Sequence, residues 1–211
     1  MNKHQPTEYQ YHSAQLAWEN AYLWNAVEKI LLSNKMSKKG QASRLFDVGC
    51  GNGASANAAS QLEFDVVGVD PSNSGIEAAI EAFPHIQFSV GSAYDDLASQ
   101  YGTFPLVMSL EVVEHCFEPR KYARTIYDLL DEDGMAIIST PYHGYLKNLA
   151  IALLGKCDDH WTALWDGGHI KFWSQTTLEQ LLKESGFSSV EFVRVGRIPV
   201  LAKSMIAIAR K

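Results

Sequence analysis

The sequence predicts an α/β fold, a mostly parallel sheet with helices on both faces, and three observations carry that prediction. Beyond residue 43, short apolar runs alternate with stretches at helical spacing, the rhythm of strand–helix–strand units. A loop with Gly49, Gly51 and Gly53 stands where the first strand of that rhythm meets its first helix. The chain closes on two strands whose connection is too short for a right-handed crossover, which makes that pair antiparallel.

Residues 1–43 are expected to be a helical leader and a linker. Leu16, Leu23, Val27, Ile30 and Leu31 repeat at helical spacing within 8–34, and the Lys- and Ser-rich stretch 33–43 suits solvent. Residues 44–211 form the expected ligand-binding domain. Its strands are placed at 44–48, 65–70, 86–90, Phe104–Leu110 and 134–140, the last after a turn at 131–134. Helices are placed at 53–62, 73–83 and 120–130. A helix at 176–185 follows, with Thr176 or Ser174 as its cap and Gly186 just beyond, and then the strands Ser189–Val195 and Ser204–Arg210. Residues 141–172 interrupt the rhythm. They form an insertion at the carboxyl ends of the strands, where open α/β sheets bind ligands.

Composition narrows the function. Hydrophobic residues at 46% and charged residues at 20% are ordinary for a globular chain. A formal charge of −6 makes nucleic acid an unfavourable partner and gives no general attraction to an anionic membrane. Cys50, Cys116 and Cys157 form no C-x-x-C pair, which suits a reducing compartment. No signal-like segment and no run near ~18 apolar residues is present, so a soluble, cytoplasmic protein is expected.

The glycines let the backbone turn sharply and approach a ligand without a Cβ in the way. Asp70, roughly 20 residues on, is placed to accept hydrogen bonds from ribose hydroxyls. A dinucleotide would meet these conditions too, since Gly49, Gly51 and Ala54 satisfy G-x-G-x-x-A. Asp47 separates the readings: a carboxylate just before the loop repels a pyrophosphate and suits the ammonium of an amino-acid-bearing nucleoside.

The segments DVGCGNG, VVGVD, LEVVEH and DGMAIISTP, taken together, resemble the successive motifs of class I S-adenosylmethionine (SAM)-dependent methyltransferases. Within that family the chain is most similar to the ubiquinone-biosynthesis O-methyltransferase group, through L-E-x-x-E-H and the later GGHIKFW. The resemblance implies a Rossmann-like seven-stranded sheet with an antiparallel last strand. It implies SAM as cofactor, with Asp47, Gly49, Gly51 and Gly53 around its methionine part and Asp70 at the ribose. Ser92 and Ala93 would flank the adenine, and Leu110 the sulfonium. An acid is usual in the family where Ser92 stands, which leaves adenine recognition either looser or shifted to Tyr94. The leader arginine of the quinone enzymes has no counterpart, which leaves Tyr9, Tyr11, His12 or Tyr22 for the SAM carboxylate.

The acceptor side is less determined. If the chain turns helical after the fourth strand, Glu111, Glu114 and His115 share one face at i, i+3 and i+4. That face could hold a divalent cation such as magnesium. Metal-dependent quinone and small-RNA 2′-O-methyltransferases are similar at this motif, and the RNA enzymes add a downstream histidine, for which His169 is the candidate. The alternatives are structural roles for these residues and metal-free base catalysis by His115. In the insertion, Leu146, Leu149, Ala150, Leu153 and Leu154 give a short amphipathic helix, and Tyr142, Tyr145, Trp161 and Trp165 lie close by. This suits a lid over SAM that shapes an apolar or aromatic small-molecule site, with His143 and His169 as further catalytic candidates. An ordinary packed helix would look the same. Transient contact with a membrane surface is a further possibility, although Lys147 and Lys156 alone make no polybasic face. The expected reaction is methylation of a phenolic or quinol oxygen. Amine or RNA 2′-hydroxyl methylation, an NAD-dependent oxidoreductase and a non-catalytic SAM-binding protein are the rivals.

Overall fold

The computed structural model describes residues 21–35, 43–161 and 163–211. A seven-stranded sheet runs through it in the order β3-β2-β1-β4-β5-β7-β6. The strands are β1 (Ser43–Val48), β2 (Phe64–Asp70), β3 (Gln87–Val90), β4 (Phe104–Leu110), β5 (Leu130–Pro141), β6 (Ser189–Val195) and β7 (Ser204–Arg210). Neighbouring pairs among β1–β5 are parallel, and β7 is antiparallel to both β5 and β6. The strand order reverses between β1 and β4, which creates the crevice where such sheets bind ligands.

Alternation along each strand builds two cores. Phe46 and Val48 of β1 join Ala136 and Ile138 of β5 on one face, against α5 (Pro119–Asp128) and α8 (Gln175–Glu184). Leu45, Met135 and Ile137 point to the other face. There they meet α1 (Ala21–Ser33), through Leu23, Val27 and Leu31, and the alanines of α2 (Ala54–Ser60) and α3 (Asn73–Ala82). The small residues Ala56, Ala59 and Ala79 let these helices lie close to the sheet.

Of the expected leader helix, the described part is α1; residues 8–20 lie outside the described residues, as do 36–42 of the linker. Most described elements lie within a residue or two of their expected places, with three differences. The expected turn at 131–134 is a bulge inside β5. Between the pairs Phe104↔Leu130 and Leu106↔Met135 the register advances two residues on β4 and five on β5, and Asp133 takes φ 62°. Two short helices, α4 (Leu97–Tyr101) and α7 (Cys157–Trp161), lie in stretches to which the sequence pattern assigns no element. The insertion helix α6 runs Tyr145–Leu153. Finally, the chain does not become helical directly after β4. Glu111 takes φ 56°, and a 3₁₀ turn begins only at Val113.

Candidate functional site

Gly49, Gly51 and Gly53 all adopt left-handed φ, between 53° and 81°. At Gly49 a Cβ would stand 2.4 Å from Val112 Cγ2, and at Gly53 it would stand 2.7 Å from Phe88 Cζ. The loop is thus wedged between β3 and the segment after β4, and glycine is required for space as well as conformation. Gly49 N–H and Cys50 N–H both donate to Val69 O, at 2.8 and 3.0 Å. Asp70 ties the loop to the next strand: its carboxylate accepts from Gly51 N–H and from Ser72 N–H, each at 2.9 Å. Burial raises the Asp70 carboxyl above its usual range, and these two donors oppose the rise.

Asp47 is the anomaly here. It is 1% exposed at the end of β1, and its Oδ2 has no hydrogen-bond partner among the described residues. Burial first, and the neighbouring Asp70 second, push its carboxyl up to about 8. A buried carboxyl without a partner is costly unless a cation or donor meets it.

Farther along the edge, Ser92 N–H donates to Asp95 Oδ2 at 2.7 Å, and Ser92 Oγ accepts from Tyr94 N–H at 3.2 Å. A carboxylate thus stands in this turn at Asp95, bonded to the backbone of Ser92. Ala93 packs against the core from the same loop. Leu110 closes β4 half-buried, paired with Ser139.

After Leu110 the expected triad separates. The Glu111 carboxylate accepts from Ser139 Oγ at 2.8 Å, while Glu111 N–H donates to that same hydroxyl at 3.0 Å. Burial pushes the Glu111 carboxyl up to about 7, opposed by Ser139, Ser204 and the charge of Lys147. Tyr22 reaches this network through Ser204, with the two hydroxyls 2.9 Å apart. Tyr9, Tyr11 and His12 lie outside the described residues.

Glu114 and His115 instead meet His169. One ligand atom from each lies within 4.8 Å of the other two, and Glu111 is not part of that group. The strap 167–171 makes the meeting possible. Ile170 N–H and Lys171 N–H both donate to Glu114 O at 3.0 Å, and His115 Nδ1 lies 2.9 Å from Gly167 O. Glu114 is 1% exposed, and neither carboxylate oxygen has a hydrogen-bond partner among the described residues. Burial, reinforced by Glu111, raises its carboxyl well above the usual range. His169 Nε2 stands 3.9 Å from Glu114 Oε1, and burial followed by His115 pushes the His169 ring down to about 4.

These residues fit a divalent cation. The His115 Nδ1–carbonyl contact fixes a tautomer that leaves Nε2 with a lone pair, the usual arrangement of a ligating histidine. The Glu114 oxygens, without a hydrogen-bond partner among the described residues, would supply the anionic ligand. Two imidazoles and one carboxylate suit manganese, iron or zinc better than magnesium, which prefers oxygen donors.

His143 lies apart from the group of three. Its N–H donates to Trp173 O at 3.0 Å, its ring is buried, and burial pushes the ring down to about 4.

The sequence matches a family model described as "Methyltransferase domain" over residues 20–191. A ubiquinone biosynthesis O-methyltransferase of Caulobacter sp. (strain K31) is 36% identical over 116 residues, 53% of this chain and 46% of that protein. Its namesake in Azorhizobium caulinodans is 29% identical over 173 residues, 78% of this chain and 66% of that protein. The matches thus span between about half and two thirds of these relatives' own length. Among solved structures, magnesium protoporphyrin IX methyltransferase from Synechocystis PCC 6803, with bound SAH, gives a TM-score of 0.66 at 19% identity. That match covers 90% of this chain and 82% of the other.

Proposed function

Since the chain belongs to the methyltransferase-domain family, we propose that it transfers the methyl group of SAM to a phenolic or quinol oxygen of a small molecule. The observation that carries this reading is the buried carboxyl of Asp47 beside the glycine loop, whose Oδ2 has no hydrogen-bond partner among the described residues. The ammonium of SAM satisfies such a group, whereas the pyrophosphate of NAD would face a second negative charge. The relatives named ubiquinone biosynthesis O-methyltransferases favour oxygen as the acceptor atom. With a formal charge of −6 the chain has no general attraction for RNA.

In this reaction the acceptor oxygen attacks the methyl carbon. The S–C bond breaks with its electron pair returning to sulfur, and the hydroxyl proton leaves to a base. The sulfonium already activates the methyl group, so in-line placement supplies much of the acceleration. Asp47, the glycine loop, Asp70 and the Ser92–Ala93 turn hold the donor, with Leu110 at its sulfonium end. His115, His169 and His143 are the candidates to accept the proton. Burial pushes the His143 and His169 rings down to about 4, which keeps both neutral at pH 7 and makes them weaker bases than an ordinary imidazole.

A second element of the reading assigns Glu114, His115 and His169 to a divalent cation, on the strength of the unpartnered Glu114 oxygens. When bound, such a cation lowers the pKa of an acceptor hydroxyl. The exposed apolar residues Leu146, Leu149 and Leu153 of the lid fit an apolar acceptor collected in transient contact with a lipid surface. Among the described residues, no helix is long and apolar enough to cross a membrane.

The test is a methyl-transfer screen from labelled SAM with catechols, quinols, amines and RNA, with and without EDTA. Label on a catechol or quinol oxygen is expected, with turnover reduced by EDTA and by Glu114→Gln. A rate indifferent to both removes the cation. Binding of NAD without SAM removes the transferase reading, and SAM binding without turnover on any acceptor leaves a non-catalytic binding protein.

A further inference from the structure

Helix α6 shows the reverse of the usual burial pattern. Tyr145, Leu146, Leu149 and Leu153 are exposed, while Lys147 is 9% exposed and the only residue of the helix in the buried class. Lysine is seldom buried without a reason. Its ammonium donates to Tyr142 O at 2.7 Å and to Lys203 O at 3.3 Å, which leaves one of its three N–H donors. None of the ion pairs among the described residues involves it.

Two imidazoles stand in the same surroundings. His143 Nδ1 and His160 Nε2 are both buried, without a hydrogen-bond partner among the described residues, and their ring centroids are 5.3 Å apart. The Lys147 charge acts on both rings. Phe172 meets the His143 ring edge-on at 4.9 Å, and Trp161 stands 6.4 Å from Phe172. Asn148 also acts on the His143 ring by a side-chain hydrogen bond. The place thus offers two ring nitrogens without hydrogen-bond partners among the described residues, an ammonium and two aromatic walls.

Charge decides what it can hold. Lys147 is joined by the charge of Arg197, and Glu111, already committed to Ser139, is the carboxylate that acts on it from the other side. A cation here would face the ammonium; among the described residues, the group of three that could hold a metal is the separate one at Glu114. An oxyanion would accept from the remaining Lys147 donor and from an imidazole N–H, while an attached ring packs against Phe172 and Trp161. We propose that His143, His160 and Lys147 form an oxyanion site that anchors an ionised oxygen, phenolate or carboxylate, on the aromatic ring of the acceptor. This rests on the methyl-transfer reading and adds that the acceptor is recognised as an anion.

The test is calorimetric titration of the full chain, saturated with S-adenosylhomocysteine, with benzoate, 4-nitrophenolate, neutral benzamide and cobalt(II) chloride in turn. One or both anions should bind at least about tenfold more tightly than benzamide, the effect of one charge-assisted hydrogen bond. The tighter of the two identifies carboxylate or phenolate as the natural group. Lys147→Met should lower anion affinity about tenfold and His160→Gln about threefold, with S-adenosylhomocysteine affinity unchanged in both, which also reports that the variants are folded. Benzamide binding as tightly as the anions, no anion binding, or indifference to both substitutions overturns the oxyanion site. Cobalt binding lost in His160→Gln but kept in Glu114→Gln also overturns it, in favour of a cation. Failure of the unaltered chain to bind S-adenosylhomocysteine refutes the methyl-transfer reading itself, a separate result.

Discussion

At the cofactor end of the crevice, Gly51 and Asp70 meet across 19 residues of chain, through a backbone N–H and one carboxylate. At the lid end, His115 and Gly167 meet across 52, and the groups left facing inward are side chains of Glu114, His143, His160 and His169. The first end is built mainly from backbone held by neighbouring parallel strands. The second needs a strap to return from the insertion and lie over the 3₁₀ turn at Val113. Backbone sites depend on local conformation and tolerate many flanking sequences. Side-chain sites depend on which distant residues arrive together, and there acceptor choice can change while the donor stays the same.

The largest expected effect separates the two ends at Asp47. On the proposed pairing of Asp47 with the SAM ammonium, Asp47→Asn should weaken SAM binding roughly 100- to 1000-fold, read by calorimetry. The cofactor-free protein should respond in the opposite direction. With its carboxyl pushed up to about 8 in the fold against ~3.9 unfolded, Asp47 holds a proton in the folded state that the unfolded chain has released. Stability therefore falls as pH rises from ~4 toward 8, and Asp47→Asn should flatten that part of a thermal-melt profile. A profile unchanged by the substitution would mean that another group titrates there.

A smaller effect couples the two ends. Gly49→Ala places a methyl against Val112 and forces it into left-handed φ, at a cost of about 1–3 kcal/mol. Because Val112 leads into the Glu114 turn, the substitution should also weaken binding of manganese(II), followed by electron paramagnetic resonance. Val112→Ala should return part of the loss. If manganese binding stays intact in Gly49→Ala, the two ends are independent. The smallest effect belongs to the lid surface: Leu153, 78% exposed, should change to Ser within about 0.5 kcal/mol in a denaturant melt.

The same contrast governs what was legible in the sequence. The strands and the glycine loop announce themselves by local pattern, and the loop's φ values follow from its glycines. Glu111 does not announce its φ of 56°, since nothing local demands left-handed backbone of a glutamate. It leaves the expected face, while His169, the expected downstream histidine, is brought to Glu114 and His115 by the strap 167–171. The short helix α4 did leave a local sign. Asp96 caps it through Ser99 N–H and Gly102 ends it, a D-x-x-S…G spacing that is easily passed over in five residues. Asp95 lay one step from Tyr94, yet only the folded turn brings it to Ser92. Lys147 was visible only as one of two lysines near an apolar helix; it is held inward by the carbonyls of Tyr142 and Lys203, just outside β5 and β7, and no periodicity within α6 records it.

Helix α1 carries a practical consequence. Leu23, Val27 and Leu31 cover Leu45, Leu106, Met135 and Ile206 at the middle of the sheet. A fragment begun at Ser43 would keep the ligand-facing edge while presenting that oily surface to water. At the concentrations of recombinant production such fragments would find one another through it, and an aggregated sample could be mistaken for one with a broken binding site.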